Sequence, residues 1–334
     1  MVSFRLFVRI LYYTRNKARI HSIQGGNRFP YKPCEVACDV PIFPRTIMSM
    51  ITLWLESLLT PCPRYLRRMG FLREQLAIEA RYQRNRASWE PHLKSSRIAI
   101  LAAADSCTQH RTALILGGGL INDVPLAELA GRFQQVILAD ILHLPRNRRK
   151  AEAVAPNITC VDFDCTGVVE KLYQAGKTLD DEPAITLFRQ ASPGLPSGLA
   201  SGCDLTVSVN LASQLGHLPA KWLEKGRPRN EEFALNLRRA AALRHLDWLR
   251  ALPGVRILIG DRALVVRGLD ESETEREVIL GEGDLETPCS TWVWRFAPAP
   301  EWDRRHHLEL EVGAYVLKEG VPGIPPSACL SEKG

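Results

Sequence analysis

The sequence predicts an α/β protein with a doubly wound, mostly parallel sheet, preceded by N-terminal helices and ending in an antiparallel hairpin. Short apolar runs alternate with helical segments through the middle of the chain, which is typical of a parallel sheet covered on both faces. Two strand-like segments near the end have no long helix between them, which favours an antiparallel hairpin at the sheet edge. The composition, with 46% hydrophobic and 24% charged residues, is that of a folded globular chain.

The composition divides the 334 residues into four parts. Residues 1–47 are basic, with seven Lys or Arg and no Asp or Glu in the first 33 positions. This segment is either an organelle-targeting segment or an extension before a start near Met48, and we expect it to be disordered. Residues 48–110 read as a helical segment, residues 111–318 as the sheet domain, and residues 319–334 as a flexible tail.

The cysteines and the hydropathy of the chain indicate its surroundings. Nine scattered cysteines without a CxxC pair favour neither disulfides nor a zinc site, and a reducing cytoplasm is the expected location. The apolar run "IMSMITLWLESLL" is too short to cross a bilayer and carries Glu56, so no membrane span is expected.

The helical segment begins with a basic helix. Apolar residues at Leu66, Met69 and Leu76 predict a helix over 63–87, and a second helix is expected to begin near Ser88 with Pro91 in its first turn. Seven arginines and two glutamates lie between residues 64 and 86. They form either a solvated face or a helix that contacts an anion.

The sheet domain contains seven predicted strands. Five apolar runs are separated by helical segments, and two alternating runs follow them. The predicted strands are "TALIL", "QVILAD", "ITCVDFD", "DLTVSVNLA", "VRILIG", "TWVWRF" and "HLELEVGAYVL". The predicted helices are "VPLAELAGRF", a basic helix over 144–153, "GVVEKLYQAG", and a long helix capped by Asn230 that runs to Leu252, whereas 178–202 reads as a loop.

A glycine-rich turn follows the first strand, in the segment "LILGGGLIND". In a doubly wound sheet, ligands bind at the carboxyl ends of the strands near the switch point, where Gly117, Gly118 and Gly119 are expected to lie. Glycine allows a positive φ and a close approach of the backbone to a ligand, and the helix that follows offers free amides. The alternative is a plain connection between a strand and a helix.

The residues after the glycines bear on the choice of cofactor. A dinucleotide fingerprint would require glycine at Asn122, so an NAD-linked oxidoreductase is disfavoured. Asp123 would repel a pyrophosphate at the helix N-terminus but would suit a cofactor with a positive centre. This reasoning favours the sulfonium and amine of S-adenosylmethionine.

Two further carboxylates end predicted strands. Asp140 closes the second strand, where it either accepts hydrogen bonds from ribose hydroxyls or caps the next turn. Asp164 ends the third strand and could accept from an adenine amino group. We favour Asp164 over Asp162 because it lies closer to the carboxyl edge.

Over residues 111–318 the chain resembles the class I S-adenosylmethionine-dependent methyltransferases, which have a Rossmann-like sheet. "LILGGGLI" resembles the first glycine motif of that family, "VILAD" the ribose-binding strand end, "NITCVDFDCTG" the adenine-side motif and "DLTVSVNLASQL" the fourth strand. The resemblance implies that Gly117 and Gly119 contact the methionine moiety, Asp140 the ribose and Asp164 the adenine, with Asn210 near the transferable methyl group. The residues expected on the cofactor side are Gly117, Gly118, Gly119, Asn122, Asp123, Asp140, Asp164 and Asn210.

Two positions depart from the family pattern. Ile115 replaces an acidic residue that contacts the cofactor ammonium, and Ile121 replaces the third glycine. Asp123 or Asn122 could take over the contact to the ammonium. These departures keep open a second hypothesis, in which the chain is an inactive methyltransferase-like scaffold or assembly protein.

The residues after the fourth strand are expected to line an acceptor pocket. Asn210 and His217 are the candidate catalytic residues, and Ser213 and Gln214 are expected beside them. His217 is either a base, because imidazole titrates near neutral pH, or a solvated loop residue. The sequence "LAS" after Asn210 does not match the signature of amino-methyltransferases, so N-methylation of a nucleic-acid base is not inferred. The resemblance implies that an N-terminal helical segment covers the acceptor pocket, and the basic helix at 64–86 then favours a small anionic acceptor.

Other motifs carry weaker predictions. No carboxylate or cysteine lies at ligand spacing from His306 and His307, so no metal site is expected. "LPRNRRK" at 144–150 reads as a solvated helix face, with RNA contact as the alternative. The aromatic residues of "WVWRF" either pack a sheet face or stack on a planar substrate.

Overall fold

The structure is a computed structural model that describes residues 56–318 except 198, 200, 201, 226, 227, 229 and 282. The predicted extension 1–47 and the predicted tail 319–334 lie outside the described residues. Helix α1 (Arg64–Met69) ends at Gly70, whose φ of 104° requires the left-handed conformation that glycine adopts readily. The predicted single helix over 63–87 is therefore wrong at this point.

Helix α2 (Phe71–Asp105) is the longest helix among the described residues, with 35 residues. It has a kink at Asn85, whose φ and ψ are −115° and 22°, and Pro91 follows six residues later within the helix. The kink replaces the predicted start of a second helix near Ser88. The Asn85 side chain donates a hydrogen bond to the carbonyl of Arg81, which satisfies a backbone group released by the kink.

The sheet has eight strands and confirms the predicted fold class. They are β1 (Thr112–Leu116), β2 (Gln135–Asp140), β3 (Ile158–Asp162), β4 (Leu205–Val209), β5 (Val255–Gly268), β6 (Glu273–Glu277), β7 (Ser290–Ala297) and β8 (His306–Val316). Their order is β3-β2-β1-β4-β5-β8-β7, with β6 paired to β5. The first five strands are parallel, and the pairs β5–β8, β7–β8 and β5–β6 are antiparallel.

The remaining helices cover the sheet. They are α3 (Leu126–Arg132), α4 (Pro145–Glu152), α5 (Val169–Ala175), α6 (Asp181–Arg189), α7 (His217–Leu223) and α8 (Glu231–Ala251), with a 3₁₀ turn at Ala212–Gln214. The side chain of Asn230 accepts from the Phe233 amide at 3.1 Å and caps α8 as predicted. The prediction that 178–202 is all loop is wrong, because α6 lies within it.

Both faces of the sheet are buried, as alternate residues of β1 demonstrate. Ala113 and Ile115 pack into the apolar cluster that contains Ile100 of α2, whereas Leu114 and Leu116 pack into the cluster that contains Leu246 of α8. Strands buried on both faces are expected to be continuously apolar, as "TALIL" is. β1 lies between β2 and β4. The chain adds β2 and β3 on one side of β1 and then crosses over to add β4 and β5 on the other, so the carboxyl ends of β1, β2 and β4 form the switch point.

Candidate active site

A cavity of about 240 Å³ lies at the carboxyl ends of the parallel strands and is covered by α2. Its floor comes from the segments that follow β1, β2, β3 and β4, and its far wall comes from β5, β7 and β8. Seven of the predicted site residues line it, namely Gly117, Asn122, Asp123, Asp140, Asp164, Asn210 and His217. These residues lie at or after the ends of four separate strands, and the fold brings them to one cavity.

The three glycines have different local roles. Gly117 has a φ of 83°, and a Cβ there would lie 2.6 Å from the carbonyl oxygen of Val209 on β4, so the glycine allows adjacent strand ends to approach each other. Gly118 points into the core, where a Cβ would meet Ile115 at 3.3 Å. Gly118 and Gly119 do not line the cavity, so of the three only Gly117 faces the space for a ligand. Ile121, at the position of the third glycine, adopts a φ of 56°.

The carboxylate of Asp140 is held by the glycine turn. The Gly119 amide donates to Asp140 Oδ2 at 2.9 Å, and a Cβ on Gly119 would lie 2.6 Å from the same oxygen. The other oxygen, Oδ1, is 3.4 Å from Gln75 Nε2 of α2, a weak contact that a ligand could replace. Burial raises the pKa of Asp140, while His143 and the amides of the turn act to lower it.

Asp123 and Asn210 meet across the cavity floor. Asn210 follows β4 with a φ of 51°, a conformation that asparagine tolerates better than most residues. Its Nδ2 donates to Asp123 Oδ2 at 2.8 Å and also lies 3.2 Å from His92 Nε2 of α2. Burial raises the pKa of Asp123, against the lowering effect of the bond from Asn210. Arg97 donates to the backbone carbonyl of Asn122 beside it.

Asp164 has a structural role in addition to its place in the cavity. Its Oδ1 accepts from the amide and hydroxyl of Thr166 at 2.9 and 2.6 Å, and its Oδ2 accepts from the Val169 amide at 2.9 Å. The carboxylate thus fixes the turn into α5 and keeps one lone-pair direction for a ligand. Asp162 is bound to His143 Nδ1 at 2.8 Å and to Arg148 at 2.9 Å and does not line the cavity.

The residues that follow β4 divide into two groups. Gln214 and His217 line the cavity with Asn210, whereas Ser213 is buried behind it and donates to Asp261 Oδ1 at 2.6 Å. His217 begins α7 and is buried, so its interpretation as a solvated loop residue is wrong. Burial, together with Arg238 and Lys221, lowers the pKa of His217 well below its usual value. The imidazole is therefore neutral at pH 7.

Helix α2 contributes cavity residues that the sequence did not single out. Phe71, Glu74, Gln75, Ile78, Arg81 and His92 all face the cavity from this helix. The first five of these residues are spaced so that they share one helix face, which is a signal in the sequence, but only the docking of the helix turns that face toward the strand ends.

The basic face of α1 and α2 mostly points away from the cavity. Of the seven arginines between 64 and 86, Arg81 alone is buried and lines the cavity, and the other six are exposed. Glu74 lines the cavity too, and burial raises its pKa while Arg81 acts to lower it. Five carboxylates and one guanidinium thus face the cavity, from Glu74, Asp123, Asp140, Asp164, Asp261 and Arg81. The expectation of an anionic acceptor loses its basis.

Aromatic side chains of β7 attach α2 to the sheet. Trp294 stacks on His92 with ring centres 3.8 Å apart, and Phe296 stacks on Trp89 at 5.3 Å. The Trp89 indole donates to the Phe296 carbonyl at 2.9 Å. The residues of "WVWRF" therefore pack a sheet face, and the same packing brings Trp294 and Phe296 to the cavity wall.

The expectation that no carboxylate lies near His306 and His307 is wrong for His307. His307, Glu271 and Glu309 offer ligand atoms within 4.8 Å of one another, so carboxylates do lie near a histidine in space. Arg267 and Arg295 each contact Glu309 at 3.1 Å, and Arg295 contacts Glu271 at 3.3 Å. The two guanidinium groups already neutralise these carboxylates, and the cluster is an ionic network on the sheet surface.

Comparisons with known proteins give only distant matches to solved structures. No protein-family model and no curated protein matches the chain. A solved structure of a 1,6-didemethyltoxoflavin-N1-methyltransferase from Burkholderia thailandensis is 12% identical, with 86% of this chain and 94% of that chain covered and a TM-score of 0.33. An amino pentose methyltransferase from Micromonospora echinaspora is also 12% identical, over 69% of this chain and 95% of that chain, with a TM-score of 0.28.

A phosphoethanolamine N-methyltransferase from Haemonchus contortus gives 12% identity and a TM-score of 0.28 over 74% of this chain and 51% of that chain. Scores this low say nothing about the reaction of this chain, and the strand order carries the assignment of the fold. Five parallel strands in the order β3-β2-β1-β4-β5, followed by the antiparallel β8 and β7, match the predicted Rossmann-like sheet with a late hairpin. The chain has a Rossmann-like, doubly wound fold.

The part of the chain that the structure describes contains no membrane-spanning helix. No helix there combines the length and the apolar character that a bilayer crossing requires.

Proposed function

We propose that this chain is an S-adenosylmethionine-dependent methyltransferase that binds its cofactor in the cavity at the strand ends and methylates a small molecule. The observation that supports this most is the position of Asp140. Its carboxylate closes β2, is held by the Gly119 amide at 2.9 Å and faces the cavity beside the glycine turn. One oxygen is thus fixed, and the other, which has only a 3.4 Å contact to Gln75 Nε2, would accept hydrogen bonds from ribose hydroxyls.

The other residues around the cavity fit the same cofactor. Asp123 lines the cavity with a carboxylate that suits the cofactor ammonium, which the apolar Ile115 cannot bind. Asp164 keeps one lone-pair direction toward the cavity for an amino group. When bound, S-adenosylmethionine supplies an electrophilic methyl group on a sulfonium centre. The residues of the chain then orient the two reactants and accept a proton where the acceptor loses one.

Asn210 and His217 are the proposed residues on the acceptor side. Asn210 is fixed by its bond to Asp123 and by its position at the end of β4, so its amide can orient a polar group of the acceptor. His217 is neutral at pH 7 and a weak base, because its pKa is lowered. It can accept a proton only from a group that becomes strongly acidic, such as an acceptor that turns cationic when methylated.

Calorimetric titration with S-adenosylmethionine, S-adenosylhomocysteine and NAD, in separate runs, tests the proposal. We expect binding of the two adenosyl ligands and none of NAD. Asp140→Asn should weaken both by roughly 10- to 30-fold, about 1.5–2 kcal/mol, because it replaces a charged acceptor. Asp162→Asn is the matched control, since Asp162 ends the neighbouring strand outside the cavity, and its affinity should equal that of the unaltered protein.

The alternative functions give different results in the same titrations. An NAD-linked oxidoreductase would bind NAD alone. A scaffold that has lost the site would bind none of the three ligands. Either result would overturn the proposal, as would equal losses of affinity in Asp140→Asn and Asp162→Asn.

A further inference from the structure

A row of four side chains connects the sheet edge to the glycine turn. Trp292 Nε1 of β7 donates to His92 Nδ1 of α2 at 3.0 Å. His92 Nε2 lies 3.2 Å from the amide nitrogen of Asn210, and that same atom lies 2.8 Å from Asp123 Oδ2. Asp123, Asn210 and His92 line the cavity, and Trp292 lies behind it.

The hydrogen-bonding properties of the first two members fix the tautomer of His92. An indole nitrogen can only donate, so His92 Nδ1 must accept and carries no proton. Burial lowers the pKa of His92 to about 3, so the ring is neutral at pH 7 and its single proton lies on Nε2. The N–H of His92 Nε2 then points at the side-chain amide of Asn210.

This tautomer determines how the Asn210 amide must be oriented. If the Nε2–H of His92 faced the NH₂ group of Asn210, two donors would lie 3.2 Å apart. The amide oxygen in the same place would accept a hydrogen bond from Nε2–H. The oxygen and nitrogen of an asparagine amide are assigned from their hydrogen bonds, so the two can be exchanged. With Oδ1 toward His92, Asp123 Oδ2 lies 2.8 Å from an acceptor and can bond to it only if the carboxyl carries a proton.

We propose that His92, oriented by Trp292, is a positioning residue that turns the Asn210 amide oxygen toward Asp123 and keeps Asp123 protonated until the cofactor binds. The inference rests on the proposed function. When the cofactor ammonium enters the cavity, the Asp123 carboxyl releases its proton to solvent and the resulting carboxylate pairs with the ammonium. No covalent bond other than this O–H bond changes, and the charge of the pocket is balanced before and after binding.

The charged groups around Asp123 are consistent with a retained proton. Burial raises its pKa, and Asp140 at the end of β2 raises it further, while Arg97 of α2 acts in the opposite direction. Arg97 is shared with Glu90, at 3.7 Å, and with the carbonyl of Asn122, so it is not a dedicated partner of Asp123. Cofactor affinity should therefore rise with pH while Asp123 of the free protein is protonated, and level off above its pKa.

The first test uses the protein without cofactor. Nitrogen-15 NMR of the histidine rings should show His92 protonated on Nε2, and carbon-13 NMR of the aspartate carboxyl groups should show Asp123 protonated at a pH where the exposed aspartates are ionised. The Asp123→Asn variant identifies that carboxyl signal by its loss. An ionised Asp123 in the free protein would overturn the inference whatever the cofactor does.

The second test counts protons. Titration with S-adenosylmethionine in buffers of different ionisation enthalpy should show release of about one proton at a pH where the carbon-13 signal shows Asp123 protonated, and less as pH rises. Trp292→Phe removes the indole N–H, which lets His92 carry its proton on Nδ1 and accept from Asn210 at Nε2. Proton release should then fall toward zero while binding persists.

A control variant and two contrary outcomes separate this inference from the proposed function. Trp248→Phe changes a buried tryptophan that packs against His245 in another cluster and should leave proton release unchanged. Cofactor binding without proton release would overturn the role of His92 and leave the methyltransferase proposal intact. A protein with a protonated Asp123 that binds no adenosyl ligand would overturn the methyltransferase proposal and leave the role of His92 intact.

Discussion

The contact between Gly119 and Asp140 is the tightest single-residue requirement of the proposed cofactor site. A Cβ on Gly119 would lie 2.6 Å from Asp140 Oδ2 and 3.0 Å from its Cγ, so Gly119→Ala must displace the carboxylate. We expect cofactor affinity to fall about tenfold, or about 1.4 kcal/mol, through loss of the aligned hydrogen bonds. Calorimetric titration of the variant measures this loss.

Gly131→Ala is the matched control for this substitution. A Cβ at Gly131 of α3 meets nothing within 4 Å, so the change should keep cofactor affinity and raise helix stability by up to about 1 kcal/mol. If Gly119→Ala bound the cofactor as well as Gly131→Ala does, Asp140 would not contribute to binding.

Single residues at strand ends were predictable from the sequence, whereas their bonding was not. The glycine turn, Asp140 and Asn210 follow apolar runs, and the ends of parallel strands meet at one edge of a sheet. The bond from Gly119 to Asp140 depends on side-chain conformations that no sequence pattern encodes. The row from Trp292 to Asp123 depends on a contact between Trp292 and His92, which are 200 positions apart in the sequence. Only the folded chain brings them together.

At the level of elements, the differences between the predicted and the observed structure have physical causes. The Pro, Gly and Ser residues around α6 indicate a loop, yet Ala184, Ile185 and Phe188 form a buried helical face. β5 continues for eight residues past the predicted "VRILIG", and the polar β6 pairs with that extension. The strand structure of β6 depends on this pairing, because its sequence has no alternation of apolar and polar residues. The position of α2 over the cavity is a tertiary contact that helical periodicity cannot specify.

The attachment of α2 to β7 through Trp89 should hold the cavity closed. Trp89 is 3% exposed, stacks on Phe296 and donates to its carbonyl, so Trp89→Ala should lower the free energy of unfolding by about 3–5 kcal/mol and weaken cofactor binding. Trp89→Phe keeps most of the packing and should lose about 1–2 kcal/mol through the missing N–H donor. Urea denaturation followed by cofactor titration measures both effects.

The control for the Trp89 variants is a large apolar residue outside the core. Leu269 is 64% exposed, and Leu269→Ala should change the free energy of unfolding by less than about 0.5 kcal/mol. A Trp89→Ala protein as stable as Leu269→Ala would mean that α2 is held over the cavity by other contacts.

For the molecule as a whole, the doubly wound sheet buries imidazoles on both of its faces. His92 lies between α2 and β7, His217 begins α7, and His245 of α8 bonds to Ser208 Oγ of β4 at 2.9 Å. Burial lowers the pKa of His92 and of His245 to about 3 and that of His217 well below its usual value. All three are neutral in the folded protein, whereas each gains a proton in the unfolded chain below about pH 6.5.

Folding stability should therefore fall as pH is lowered from about 7.5 to about 5.5. Between the folded and unfolded pKa values the unfolded chain binds more protons, so each imidazole whose pKa is near 3 destabilises the folded state by about 1.4 kcal/mol at about pH 5.5. The raised carboxyl pKa values of Asp123 and Asp140 act in the opposite sense, because the folded protein then retains protons that the unfolded chain releases.

A histidine variant separates these opposing contributions. Urea denaturation of the unaltered protein and of His245→Gln at both pH values gives two differences in the free energy of unfolding. The loss of unfolding free energy between about pH 7.5 and about pH 5.5 should be smaller by about 1.4 kcal/mol in His245→Gln than in the unaltered protein. Glutamine does not titrate, while every other group is unchanged. The variant is also expected to be less stable at both pH values, since it disturbs the bond to Ser208, but that loss cancels in the comparison. An equal pH-dependence in the two proteins would mean that His245 is accessible to protons in the folded state.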